Sequence, residues 1–147
     1  MKGYKKILVP MDGSETSEAI LPEIEKLASA FGSIISLLHV VPIAIFPGTM
    51  EPVVPYQTIT EALTREGEEY LRMIAKRLKD KGFTVESHLQ KGNEAELILE
   101  HCDRKDIDLV AMSTHGRSGV SRWLLGSVAE KVIRHATKPF LLIRSTE

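Results

Sequence analysis

Apolar residues fall along this chain in two rhythms: short continuous runs, and longer stretches in which they recur every three or four residues. Ile7-Leu8-Val9 has the pattern of a short buried strand closed by Pro10, and Ile34 to Val41 is a second apolar run of the same kind. Ile107 to Met112 and Phe140 to Ile143 make two more. Phe83 to Leu89 differs, because Phe83, Val85 and Leu89 alternate with Thr84, Glu86 and His88, as in a strand with one face toward water. Helical spacing fills the intervals. Ala19, Ile20, Ile24, Leu27, Ala28 and Phe31 mark one helix over Glu15 to Phe31, capped by Ser14, stopped by Gly32 and expected to kink at Pro22. Thr58 to Lys81 is a long amphipathic helix with Ile59, Leu63, Tyr70, Ile74 and Leu78 on one face, and Glu61/Arg65 and Glu68/Arg72 at ion-pair spacing. Asn93 with Glu96 is a capping-box-like start for a helix over Glu94 to Arg104, and Val128 to Ala136 forms the last one.

The order of elements is strand, helix, strand, long loop, helix, strand, helix, strand, helix, strand. It predicts an α/β protein: one domain over 1–147, with an open five-stranded parallel sheet and helices on both faces. The alternating strand Phe83–Leu89 belongs at an edge. If Phe140, Leu141, Leu142 and Ile143 hold the other edge, that fully apolar strand needs a cover, and a second copy of the chain is the economical one. Pro42 to Pro55 carries four prolines and one glycine and is expected to be a long loop of functional or mobile character.

Composition narrows the function classes. The 147 residues carry a net charge of −1, with 43% hydrophobic and 27% charged residues. No basic field exists to attract nucleic acid or anionic lipid, and the local cations Arg117, Arg122, Lys131 and Arg134 lack interleaved aromatics for base stacking. No apolar run approaches the roughly 20 residues of a membrane span, and the N-terminal one is too short for a signal-peptide core. Cys102 is the single cysteine, which excludes an internal disulfide and fits a reducing cytoplasmic setting, with Cys102 as a buried small residue.

In an open parallel sheet, ligands bind beyond the carboxyl ends of the strands, where the connections reverse direction. Pro10-Met11-Asp12-Gly13, His39-Val40-Val41 and the chain after Met112 meet that description. Ser113-Thr114-His115-Gly116-Arg117-Ser118-Gly119-Val120-Ser121 is small and polar, and Gly126-Ser127 follows at the start of the last helix. Glycine allows close backbone approach, and successive N–H groups, hydroxyls and a helix N-terminus all donate toward an anion, so the stretch suits phosphate. Ser127 with Glu130 also fits a capping box, and loop-and-cap structure alone accounts for the same residues equally well. Asp12 would meet ribose hydroxyls or a cation rather than phosphate, or would simply close an Asx turn. Met11 and Met112 are core residues by default, or a flat wall for a purine. His39 fits a hydrogen-bonded core histidine, and His115 is the histidine nearest a ligand. The usual signatures of P-loop, dinucleotide, zinc-protease and serine-hydrolase sites are missing, which leaves no catalytic assignment.

Several separated motifs, in order, resemble the universal stress protein family over essentially the whole chain. They are Lys6-Ile7-Leu8-Val9-Pro10-Met11-Asp12-Gly13-Ser14-Glu15, Leu38-His39-Val40, Asp108 through Arg117, Leu124-Leu125-Gly126-Ser127-Val128-Ala129-Glu130 and Lys138-Pro139-Phe140-Leu141-Leu142-Ile143. The chain is similar to the ATP-binding subgroup, whose pattern is G-x2-G-x9-G-[ST]. Gly116, nine residues and Gly126-Ser127 match it, and Ser113 stands where the pattern has its first glycine. The resemblance implies a Rossmann-like, adenine nucleotide alpha hydrolase-like sheet of strand order 3-2-1-4-5. It also implies ATP as ligand, carrying Mg²⁺ or Mn²⁺ on its phosphates, with no metal ligands from protein side chains. Adenine is expected near Val40, and ribose or base contacts from Pro10, Asp12, Met112 and Ser113, beside the nucleotide-site candidates Met11 and His115 named above. Phosphates are expected against Gly116, Arg117, Gly126, Ser127 and Val128. A homodimer through the last strand is implied too. The expected role is a nucleotide-gated regulator or interaction module in stress response, reading out to a protein partner through a population shift that orders Ser113–Ser127 and the proline-rich flap. The alternatives are a dimeric scaffold that binds no nucleotide and a slow ATPase or phosphotransferase.

Overall fold

Each apolar run becomes a strand of one parallel sheet. In the computed structural model, which describes residues 3–43, 56–104, 106–115 and 126–145, the strands are β1 (Lys6–Pro10), β2 (Ile34–Val41), β3 (Thr84–Lys91), β4 (Leu109–His115) and β5 (Phe140–Ser145). Their order is β3-β2-β1-β4-β5, as expected, and every pairing is parallel. Register is set from the middle outward: Lys6 pairs with Ile34, Ile34 with Thr84, Ile7 with Leu109 and Val110 with Phe140.

Alternate side chains of the central strands feed two cores. Ile7, Val9, Ile35, Leu37, Leu109 and Ala111 face α2 (Leu21–Phe31) and α3 (Tyr56–Asp80), which contribute Ile24, Ala28, Leu71, Ile74 and Leu78. Leu8, Leu38, Val40, Val110 and Met112 face α4 (Glu94–Cys102) and α5 (Ser127–His135), which add Ile98, Cys102, Ala129 and Val132. Burying one such aliphatic side chain contributes about 1.5–3 kcal/mol, so both faces of the sheet are held independently. Cys102 is fully buried and burial pushes its thiol up, consistent with a packing residue.

Three local expectations change. The segment from Glu15 to Phe31 is two helices, α1 (Glu15–Glu18) and α2, rather than one kinked helix. Proline lacks an N–H but fits a first turn, so Pro22 starts α2. β4 continues through His115, because β5 runs alongside it to Ser145 and satisfies the backbone of Ser113, Thr114 and His115. α3 makes its ion pairs at Lys76–Asp80 (2.7 Å) and, to α1, at Arg77–Glu18 (3.2 Å), not at Glu61/Arg65 or Glu68/Arg72. The proline-rich stretch is described only at Pro42 and Ile43; its remainder, 44–55, lies outside the described residues.

The two ends of the sheet differ chemically. At the amino end Lys6 Nζ meets Glu86 at 3.0 Å and Asp106 at 2.8 Å, and an Asp108 carboxylate oxygen accepts from the Lys5 and Lys6 amides at 2.8 and 3.0 Å. Among the described residues the carboxyl end carries no such stitching and opens into cavities.

Candidate functional site

The reversal of connection order lies between β1 and β4, and a cavity of about 230 Å³ opens there. Its walls come from the ends of both strands, from α1, and from the first residues of α4 and α5. Of the residues singled out in the sequence, Pro10, Asp12, Met112, Ser113, Gly126, Ser127 and Val128 all line it. Val40 lines an adjoining recess of about 420 Å³ between β2 and α3, with His39, Gly67 and Tyr70. Asp12 and Glu94 border both.

Local sequence explains the shape. Gly13 turns the chain at φ 88°, and the Asp12 carboxylate accepts from the Ser14 amide at 2.8 Å and from the Ser14 hydroxyl. Ser14 in turn caps α1, its hydroxyl oxygen accepting from the Ser17 amide at 3.1 Å. Burial pushes the Asp12 carboxyl up, but the hydrogen bonds from Ser14 and Ser17 and the local backbone outweigh it, so the group stays below the usual carboxylate range. On the far side Asn93 caps α4, its side-chain oxygen accepting from the Glu96 amide at 3.0 Å, as the sequence suggested.

α5 is built differently. Its N-cap is Gly126 at φ 76° and ψ 145°, a conformation close to glycine-only backbone, and no side chain among the described residues caps the helix. Ser127 is therefore the first helical residue and not a cap. The expected Ser127–Glu130 capping box does not form, and Glu130 instead pairs with Arg134 at 2.7 Å. The amides of a first helical turn have no acceptor within the helix, and in α5 that turn, Ser127, Val128 and Ala129, lines the cavity. Such a terminus offers converging N–H donors and a positive dipole end to an anion.

Other expected residues sit elsewhere. Met11 is only 2% exposed and packs into the α2/α3 core; what it presents is a backbone carbonyl that meets His39 Nδ1 at 2.8 Å. That contact makes His39 the hydrogen-bonded histidine the sequence suggested. His115 ends β4 opposite Ser145, while Gly116 and Arg117 lie outside the described residues. The Ser113 hydroxyl donates to the Thr16 carbonyl oxygen, tying β4 to α1. Phe140, Leu141, Leu142 and Ile143 occupy the outer strand and remain only partly covered.

Sequence reasoning missed Thr16, Ser17 and Glu94 as cavity residues. The available signal was positional: a residue opening a helix just after a parallel strand must stand at the carboxyl end of the sheet. Glu94 is half-buried, and burial first, then the charge of Asp12, raises its carboxyl, with His39 opposing.

Comparisons with known proteins agree with this architecture. Residues 3–144 match the model of the universal stress protein family. Universal stress protein MJ0531 of Methanocaldococcus jannaschii is 34% identical over 96% of this chain and 82% of its own length. Universal stress protein MJ0577 of the same organism is 30% identical, over 96% and 95%. A solved structure of MJ0577 superposes with a TM-score of 0.81 at 28% identity, covering 99% of each chain. Two more distant structures share the fold: a family protein from Arabidopsis thaliana with AMP bound (TM-score 0.70, 19% identity, 97% and 92% coverage) and a universal stress protein in complex with cAMP (0.63, 22%, 99% and 100%). With the family model matched over nearly its full length, the chain belongs to the universal stress protein family.

Proposed function

We propose that this chain binds an adenine nucleotide, with ATP as the leading ligand, and works as a nucleotide-gated regulator or interaction module in stress response. The observation that carries the reading is the uncapped first turn of α5, which faces a cavity at the switch point of the sheet beside an acidic residue suited to ribose. Phosphates would rest against Gly126, Ser127 and Val128, with Gly116 and Arg117 completing the cradle. The ribose would lie over Asp12 against the wall of Pro10, Met112 and Ser113, and adenine would enter the recess beside Val40. The smaller cavity, at about 230 Å³, falls below the roughly 300–1,000 Å³ of ordinary small-molecule sites, and the recess falls within it. A ligand as long as a nucleotide suits the two together. A divalent cation would ride on the phosphates. AMP in one family structure and cAMP in another support the ligand class.

The apolar outer edge of β5 supports a homodimer joined there, since pairing with a second copy would cover its free backbone groups. Thermal unfolding with added ATP tests the ligand. At about 100 times Kd, binding to the folded state alone stabilises by about 2.7 kcal/mol, or roughly 5–10 °C in Tm for a domain of this size. An unchanged Tm at millimolar ATP would overturn the reading.

A further inference from the structure

Two carboxylates stand at the junction of the two cavities. Asp12 and Glu94 border both, so whatever reaches from the first turn of α5 to Val40 passes beside them. They reach the junction from different parts of the fold. Asp12 follows β1 and is fixed by the Ser14 amide and hydroxyl, whereas Glu94 opens α4 directly behind the Asn93 cap. Neither cavity is lined by a lysine or an arginine among the described residues, and the recess adds a third acid, Glu66. The potential therefore divides sharply within one site: helix-terminal amides favour negative charge at one end, and the middle opposes it.

We infer that Glu94, together with Asp12, is a specificity filter that admits 5′-nucleotides and rejects those carrying an additional phosphate monoester on the 2′ or 3′ oxygen. The inference rests on the adenine-nucleotide reading, which puts the ribose at this junction. A free diol donates hydrogen bonds to ionised carboxylates, which accept only. A phosphate ester on the same oxygen removes the donor and sets a dianion against two carboxylates in a partly water-excluded site, where like charges interact far more strongly than in bulk water. Selection here comes from repulsion of the wrong ligand as much as from attraction of the right one. The half-buried Glu94 is the sharper of the two elements, since Asp12 is already engaged by Ser14.

The test titrates 5′-AMP and adenosine 3′,5′-bisphosphate into the wild-type chain and into Glu94→Gln, which keeps the shape and removes the charge. The wild type should bind 5′-AMP at least tenfold more tightly than the bisphosphate. Glu94→Gln should shrink that ratio by about five- to tenfold, strengthening the bisphosphate by relief of repulsion and weakening 5′-AMP by loss of the charged acceptor. If 5′-AMP binds and the ratio is the same in both proteins, the filter is wrong and the nucleotide reading stands. If neither compound nor ATP gives heat or a thermal shift, the nucleotide reading and the filter fall together; if ATP alone binds, only the filter falls.

Discussion

Gly67 sits buried in the middle of α3, where alanine would normally improve a helix by about 1 kcal/mol. The structure predicts the opposite sign. A methyl group there would lie 2.7 Å from His39 Cδ2, 2.9 Å from Leu89 Cδ1 and 3.1 Å from His39 Nε2. Ordinary carbon contacts begin near about 3.5 Å, so the imidazole must retreat by roughly 0.8 Å. Leu89 can turn its flexible end away. His39 cannot, because Nδ1 is held at 2.8 Å by the Met11 carbonyl and the ring packs beside Tyr70, centroids 6.0 Å apart. Overpacking costs typically about 1–3 kcal/mol and a lost hydrogen bond about 1 kcal/mol, so after the helix gain Gly67→Ala should destabilise by about 1–3 kcal/mol. Urea unfolding should show the midpoint falling by roughly 0.5–1.5 M at constant slope. The decisive experiment is a double-mutant cycle. With His39→Ala in the background the obstacle is gone, and Gly67→Ala should turn stabilising, a coupling of about 2–4 kcal/mol. A Gly67→Ala variant that is more stable than wild type, or a cost undiminished by His39→Ala, would refute the steric argument.

Three further outcomes follow from the same geometry. His101 is buried with Nε2 unpartnered among the described residues, and burial, then His88 and Arg104, hold its imidazole below the ordinary value. Above about pH 6.5 it is neutral folded and unfolded and contributes no slope; below, the unfolded chain takes up the proton first. Stability should then fall by up to about 1.4 kcal/mol per pH unit until the folded-state value is reached, and His101→Asn should lose that component between pH 7 and 5; equal slopes for both proteins would contradict it. Ser113→Gly removes the hydroxyl bound to the Thr16 carbonyl and loosens β4, so it should lower stability by about 1–2 kcal/mol while ATP affinity stays within about threefold; a tenfold loss of affinity would make the hydroxyl a ligand contact. The apolar outer strand should pair two copies, so the wild-type chain should sediment as a dimer by analytical ultracentrifugation, and a monomer at micromolar concentration would contradict it.

Much of the fold was legible because the strands are continuous apolar runs and each helix carries its own punctuation. Ser14, Gly32 and Asn93 all act at the positions their chemistry suggested. The boundaries that differ share one cause: local rules contain neither the neighbouring strand nor the residue just before. Ser113–His115 looks like loop in isolation, but β5 offers it a ladder, and only tertiary contact reveals that. Ser127 has the side chain of a cap, yet the backbone freedom of Gly126 lets the helix begin one residue earlier. Pro22 was recognised as a disruption, but whether proline kinks or starts a helix depends on where the preceding turn ends. The cavity itself was legible in its glycine and strand-end residues, whereas Glu94 carries no motif and joins the site only through the placement of α4.

Isothermal titration of the purified chain with ATP and Mg²⁺, alongside Gly126→Ala, tests the central claim most directly. Gly126 holds φ 76° and ψ 145°, and a side chain there costs about 1–3 kcal/mol, so the variant should distort the first turn of α5 and its donors. The account predicts one saturable site in the wild type and at least tenfold weaker binding in Gly126→Ala. No heat at millimolar ATP, or equal affinity in the two proteins, would contradict it.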